Sequence, residues 1–122
     1  MRRAVVTAAA ASALLLAGSG LLQAAPPAPT RIQVAAREYS FVLSRLRVKA
    51  GPAIVELVNM GEDAHDLALR RVGPGARTLH IPVVQPGALR RISVTLRPGR
   101  YAVWCTVTDH RSLGMSTRLV VR

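Results

Sequence analysis

The chain has 122 residues, of which 50% are hydrophobic and 19% are charged, and this balance argues against a disordered tail protein. Its 17 Lys and Arg residues against 6 Asp and Glu residues give a formal net charge of +11. A single cysteine excludes an intrachain disulfide and any site that needs two thiolates, while an aromatic content of 3% argues against binding of single-stranded nucleic acid, which needs aromatic stacking platforms.

The N-terminal region predicts a secretory signal peptide over residues 1–24. An arginine pair precedes an uncharged run over residues 4–17, and small residues then lead to a cleavage site after Ala24. The alternative is an uncleaved membrane anchor, because residues 4–25 are long enough to span a bilayer. Polar residues dilute that run, which favours cleavage. We therefore expect a periplasmic or secreted protein, with membrane contact only if the signal stays attached.

The rest of the chain reads as short strands. Residues 25–30 contain three prolines and predict a stiff lead-in that cannot join a central strand. Residues 31–122 then show the apolar–polar alternation of half-buried strands, with glycine and proline turns between the runs. The alternating runs cover residues 32–36, 46–48, 53–58, 67–69, 92–96, 101–105 and 119–121. Seven or eight such strands in one domain predict an all-β Greek-key sandwich. Residues 73–88 are the least regular and predict a long connection, in which His80 is interpreted as a connection residue.

Four side chains form a candidate metal site at the end of this pattern. Cys105 ends the run 101–105, His110 follows five residues later, and Met115 follows after five more. His65 lies forty residues before the cysteine, just beyond a predicted strand and its turn. A thiolate, two imidazoles and a weak thioether are the ligands of a mononuclear blue-copper centre, whose geometry suits both copper oxidation states. The spacing therefore predicts one copper ion bound by these four residues.

Each of these residues also has an ordinary structural interpretation. Cys105 fits a buried core thiol at a strand end, Met115 fits packing beneath the last strand, and the two histidines fit hydrated loop positions. The combination of all four in an exported chain favours the copper site. No enzyme activity is predicted: Trp104 and Thr106 flank Cys105 where a multicopper oxidase has histidines, and no substrate pocket accompanies a Cys–His nucleophile.

The sequence resembles the small bacterial cupredoxins of the plastocyanin and azurin superfamily. The matching segments are residues 38–41, 51–59, 64–67, 98–105, His110 and 114–121. The resemblance implies that His65, Cys105 and His110 are the equatorial ligands of a type 1 copper ion and that Met115 is the axial ligand. It also implies one-electron transfer, with the edge of His110 facing solvent as the exit for the electron.

Two positions depart from the family pattern. Many members carry Asn where this chain has Asp66, and Pro-Gly where it has Thr108-Asp109. Both aspartates are open to two interpretations, since each could fix a ligand loop by accepting backbone N–H bonds or could be a solvated charge. No redox potential is predicted, because residues around the ligands tune it.

The basic charge suggests a partner, although most arginines fit a simple solvated surface. The functional interpretation is an acidic redox protein steered by long-range attraction, with an anionic membrane surface as the alternative. Nucleic acid is not expected for an exported protein. We predict a monomeric one-electron carrier. The alternatives are a periplasmic copper-binding or delivery protein without redox cycling, and a metal-free sandwich used in assembly.

Overall fold

The computed structural model describes residues 20–122. Most of the predicted signal peptide, residues 1–24, lies outside the described residues, so its cleavage stays a prediction. Residues 25–29 precede the first strand in an exposed segment without secondary structure. Between residues 20 and 122 there is no helix of the length and apolarity needed to span a membrane.

Two β-sheets face each other around one core. The strands are β1 Thr30–Arg37, β2 Ser40–Leu43, β3 Arg47–Val48, β4 Gly51–Asn59, β5 His65–Arg71, β6 Thr78–Val84, β7 Leu89–Leu96, β8 Gly99–Trp104 and β9 Ser116–Val121. One sheet has the strand order β2-β1-β4-β7, and the other has the order β3-β9-β8-β5-β6. The predicted all-β Greek-key sandwich is confirmed, with nine strands in the described residues rather than seven or eight.

The apolar–polar alternation predicted from the sequence accounts for the residues of the buried core. In β4, every second residue from Ala53 to Asn59 is buried, because successive side chains of a strand point to opposite faces. The fully buried Leu57 of this sheet belongs to the same apolar cluster as Leu67 and Leu119 of the other. Burial of each such side chain stabilises the fold by roughly 1.5–3 kcal/mol. The core therefore holds the two sheets, and with them the site, in a fixed relation.

The prediction of a long connection over residues 73–88 was wrong. Strand β6 occupies its middle and pairs antiparallel with β5 at the edge of the sheet. Only Ile81 and Val84 of this strand are buried, and the exposed Pro82 and Val83 lie between them, so its apolar–polar alternation is weak. Pro is tolerated there because an edge strand leaves one row of N–H groups unpaired. His80 consequently lies in a strand and not in a connection.

The pairing of β5 with β8 brings two distant ligand-bearing segments together. The strands are antiparallel, with Ala68 opposite Trp104, so the start of β5 lies beside the end of β8. His65 is the first residue of β5, and Cys105 directly follows β8. The loop over residues 105–115 then returns to β9, so all four predicted ligands lie at one pole of the sandwich.

Candidate metal centre

His65, Cys105 and His110 converge in the structure, as the sequence predicted. One ligand atom from each lies within 4.8 Å of the others. The Nδ1 atoms of the two histidines are 3.1 Å apart, and the Sγ atom of Cys105 is 3.5 Å from Nδ1 of His110. All three side chains are buried, and His110 retains 7% exposure whereas His65 retains none. Of the two imidazoles, His110 is therefore the one that reaches the surface.

The loop over residues 105–115 is held closed by its own backbone. The Cys105 N–H donates to the Met115 carbonyl at 3.2 Å, and the Met115 N–H donates to the His110 carbonyl at 3.0 Å. Met115 is fully buried at the end of this loop, beneath the start of β9. These bonds tie the thiol, the second imidazole and the methionine to a single backbone frame. The role of the thioether as a fourth ligand remains a prediction.

Asp66 braces the thiol-bearing loop from the neighbouring strand. Its buried carboxylate accepts the Thr106 N–H at 2.6 Å and also the Thr106 hydroxyl. Nε2 of His80 lies 2.8 Å from the same carboxylate. Burial alone raises the pKa of Asp66, but the hydrogen bonds from His80 and Thr106 outweigh it, so the pKa is lowered from its ordinary value. The question left open for Asp66 is answered in favour of a loop-fixing carboxylate.

Asp109 acts through its backbone instead. Its side chain is exposed, and its φ of 66° lies in the left-handed region, which Asp tolerates better than most residues. Its carbonyl accepts the Ser112 hydroxyl at 2.8 Å and the Leu113 N–H at 3.0 Å. The Asp109 backbone thus shapes a turn within the loop over residues 105–115, and its exposed side chain fits the second interpretation, a solvated charge.

Glu38 is a site residue that the sequence analysis missed. Its Oε1 atom lies 3.0 Å from Nε2 of His65 and accepts the backbone N–H groups of Glu62 and Asp63 at 2.8 and 2.7 Å. The bond from Asp63 is the largest cause that lowers the pKa of Glu38 from 4.5 to about 2. An ionised carboxylate at this position selects the His65 tautomer with the proton on Nε2. Nδ1 of His65 is then an unprotonated ligand atom facing Cys105 and His110.

The close packing around Glu38 depends on a glycine. A Cβ atom added at Gly61 would overlap the Glu38 carboxylate, so any larger residue would displace it from His65. Glu38 lies 27 positions before His65, and no local spacing pointed to their contact. Only its place in a segment that resembles the family could have marked it as a candidate.

Tyr39 covers the second imidazole. Its ring meets the His110 ring edge-on, with the ring centroids 5.0 Å apart. Its hydroxyl donates to Asp63 at 3.4 Å. Tyr39 therefore packs against His110 and links that side of the site to the Asp63 carboxylate.

The Cys105 thiol is fully buried. Burial is the main cause that raises the pKa of Cys105 from 9.0, and the nearby Asp66 charge adds to the effect. A metal ion that binds this sulfur must therefore displace its proton. One thiol and two imidazole nitrogens in a buried pocket fit a soft or borderline transition metal, because hard cations prefer oxygen ligands. The donor set, with a methionine beside it, fits a type 1 copper ion.

No protein-family model matches the sequence, and no curated protein matches it either. Solved structures do match. A dithionite-reduced auracyanin from the photosynthetic bacterium Roseiflexus castenholzii is similar with a TM-score of 0.63 and 20% identity, over 79% of this chain and 99% of that one. A reduced amicyanin variant is similar with a TM-score of 0.55 and 22% identity, over 79% of this chain and 86% of that one.

A multicopper oxidase is similar as well, with a TM-score of 0.59 and 13% identity, over 80% of this chain but 45% of the oxidase. The resemblance therefore extends to a domain of a larger enzyme as well as to small proteins that match over nearly their whole length. At these identities, the likeness establishes the fold. The chain has the cupredoxin fold, as the sequence analysis predicted.

Proposed function

We propose that this cupredoxin-fold chain is an exported one-electron carrier that holds a single type 1 copper ion through His65, Cys105, His110 and Met115. The observation that supports the proposal most directly is the convergence of two Nδ1 atoms and one Sγ atom within 4.8 Å in a buried pocket. The amicyanin structures among the matches include Cu(I) forms. Copper supplies the one-electron chemistry, by alternating between Cu(I) and Cu(II).

The chain's own contribution is to hold the ligands in place. Cys105 and His110 belong to a loop closed by backbone hydrogen bonds, and Asp66 ties that loop to β5. Glu38 fixes the ring orientation and tautomer of His65. A site whose ligands are held this firmly has little to rearrange when an electron arrives or leaves, which favours a carrier over a delivery protein that must release its ion.

The proposal includes no catalytic step. The hydroxyl beside the thiol, that of Thr106, is already engaged with Asp66. The proposed carrier exchanges electrons with another redox protein, for which the excess of basic over acidic residues favours an acidic surface. The proposal that the chain is exported depends on the predicted signal peptide. Mass spectrometry of the protein isolated from its native host tests whether that peptide is removed. A chain that begins at Ala25 is expected.

The decisive experiment is addition of Cu(II) to the purified chain, followed by a visible spectrum. We expect an intense thiolate-to-copper charge-transfer band, which Cys105→Ser abolishes because it removes the only thiolate. His80→Gln is the matched control for His110→Gln, since His80 lies outside the cluster. The His80→Gln variant should keep the colour of the unaltered protein. The His110→Gln variant should change or lose it. A colourless complex, as zinc would give, contradicts the proposal.

Voltammetry then separates the carrier from the delivery alternative. A carrier gives a reversible one-electron wave and retains its ion against a competing metal-free protein. Sluggish redox response together with rapid loss of copper would favour delivery instead.

A further inference from the structure

The outer face of the five-stranded sheet carries a basic surface around the single tryptophan. Ala102 of β8 lies between Arg70 of β5 and Arg118 of β9 in the register, and Trp104 is the next residue of β8 on the same face. Arg111 adds a fourth group, with its guanidinium carbon 4.7 Å from the Trp104 ring centroid. We call Arg70, Trp104, Arg111 and Arg118 the Trp104 patch.

Two open grooves meet at this patch. A groove of about 300 Å³ includes Arg70, Arg71, Trp104 and Arg111 in its lining, and every residue that lines it is neutral or basic. A second groove, of about 500 Å³, runs from Trp104 and Arg111 along the loop that carries Cys105. The indole ring is half-buried between them, so a partner seated here would contact an aromatic ring framed by guanidinium groups.

Within residues 20–122 none of the patch arginines is in an ion pair, although Asp109 lines the larger groove together with Arg111. The one arginine in an ion pair there is Arg91, which contacts Glu56 at 3.3 Å on the other sheet. The carboxylates of Glu38 and Asp63 are instead grouped at the turn beside His65 and Tyr39. An acidic partner is therefore attracted to the Trp104 patch rather than to the side of the site that carries Glu38 and Asp63.

The patch also lies next to the candidate metal centre along the chain. Trp104 is bonded through one peptide group to Cys105, the residue whose sulfur would bind copper. Arg111 likewise directly follows His110. A partner held over the indole thus faces a short covalent path to the thiolate, and docking and electron exchange use the same surface.

We propose that the Trp104 patch is the docking surface for an acidic redox protein, and that the electron passes between the centre and that partner through Cys105 and Trp104. This inference rests on the proposed carrier function. Each encounter moves one electron from the reduced site to one acceptor, with no bond or proton exchanged.

The first test uses hexacyanoferrate(III) as a small trianionic acceptor and tris(phenanthroline)cobalt(III) as a cationic one. The patch variant is Arg70→Gln/Arg111→Gln/Arg118→Gln. Its matched control, Arg31→Gln/Arg45→Gln/Arg90→Gln, removes the same charge from exposed positions that line neither groove. At low ionic strength, the patch variant should react with the anion about tenfold more slowly, while the control changes by less than about twofold.

The difference between the two variants should disappear at high salt, since screening removes the attraction. The cationic acceptor should show no such loss. Equal rates for the patch variant and the control would overturn the proposal, because only net charge would then matter. An unchanged visible spectrum in both variants shows that the centre is intact.

The second test measures binding of an acidic peptide to the protein without electron transfer. Hexaglutamate is titrated into the isotope-labelled Cu(I) protein, and amide and indole N–H shifts are followed by NMR. We expect the largest shifts at Trp104 and its patch neighbours, and shifts centred on Tyr39 and His110 would overturn the proposal. A chain that never turns blue with Cu(II) would contradict the carrier function alone, because the same titration of the metal-free chain still decides where the acidic peptide binds.

The electron path has its own variant. Trp104→Leu should slow reduction of hexacyanoferrate(III) more than it weakens hexaglutamate binding. If both fall by the same factor, the indole serves docking only and the path through it is wrong.

Discussion

Oε1 of Glu38 lies 3.0 Å from Nε2 of His65, on the side of the ring away from the other candidate ligands. The carboxylate is itself held by two backbone N–H groups, so it presents a fixed negative charge to the imidazole. A carboxylate bonded to a ligating histidine orients the ring and raises its basicity. Glu38 is therefore expected to influence any metal bound by His65 without touching it.

Replacing Glu38 by Gln should weaken Cu(II) binding by about 10–100-fold, because the neutral amide no longer raises the basicity of His65. If the loss falls mainly on Cu(II), the midpoint potential rises by about 60 mV for each tenfold loss. Competition for Cu(II) and voltammetry measure the two quantities. Glu62→Gln is the control, since its side chain makes no contact with His65 in the structure. Equal shifts in both variants would show a general charge effect instead.

Replacing Asp66 by Ala should destabilise the metal-free chain by about 1–3 kcal/mol, because the Thr106 N–H and hydroxyl lose the buried carboxylate that accepts their hydrogen bonds. Urea unfolding of both chains measures the difference. Asp109→Asn is the control: its side chain is exposed and Asn tolerates the same left-handed backbone, so a change within about 0.5 kcal/mol is expected. An Asp66→Ala variant as stable as the control would remove the bracing role.

Acid should destabilise the metal-free chain partly through Glu38. The folded state lowers the pKa of this carboxyl from 4.5 to about 2, so its contribution is present above pH 4.5 and is lost as pH falls towards 2. Unfolding free energies measured across this range should decline less steeply for Glu38→Gln than for the unaltered chain. Parallel curves would contradict this assignment.

Replacing Met115 by Leu should leave the fold nearly unchanged, because the two side chains have similar volumes, and such exchanges usually cost less than about 1.5 kcal/mol. The visible spectrum and midpoint potential should change, since Leu offers no sulfur. Copper retention should remain largely intact, because the thiolate and imidazoles supply the strong bonds. Thermal unfolding, spectra and voltammetry on one preparation separate these effects. An unaltered spectrum would show that the thioether is not a ligand.

The sequence by itself determined the all-β class, most of the strands and the candidate ligands. Apolar alternation is local, so strands such as β4 could be predicted from neighbouring residues. Cys105, His110 and Met115 share one loop, so their spacing in the sequence indicates a metal site before the fold is known. Strand β6 escaped prediction because an edge strand is exposed on much of both faces and shows little alternation.

Only the tertiary structure decided what supports those ligands. Glu38 reaches His65, and Asp66 reaches both His80 and Thr106, because sheet pairing and the turns between strands bring these segments side by side. The Trp104 patch likewise comes from the register of β5, β8 and β9. Such contacts join residues that are distant in the chain, so they cannot be predicted from the spacing of residues in the sequence. The packing of one core between two sheets selects which distant side chains meet.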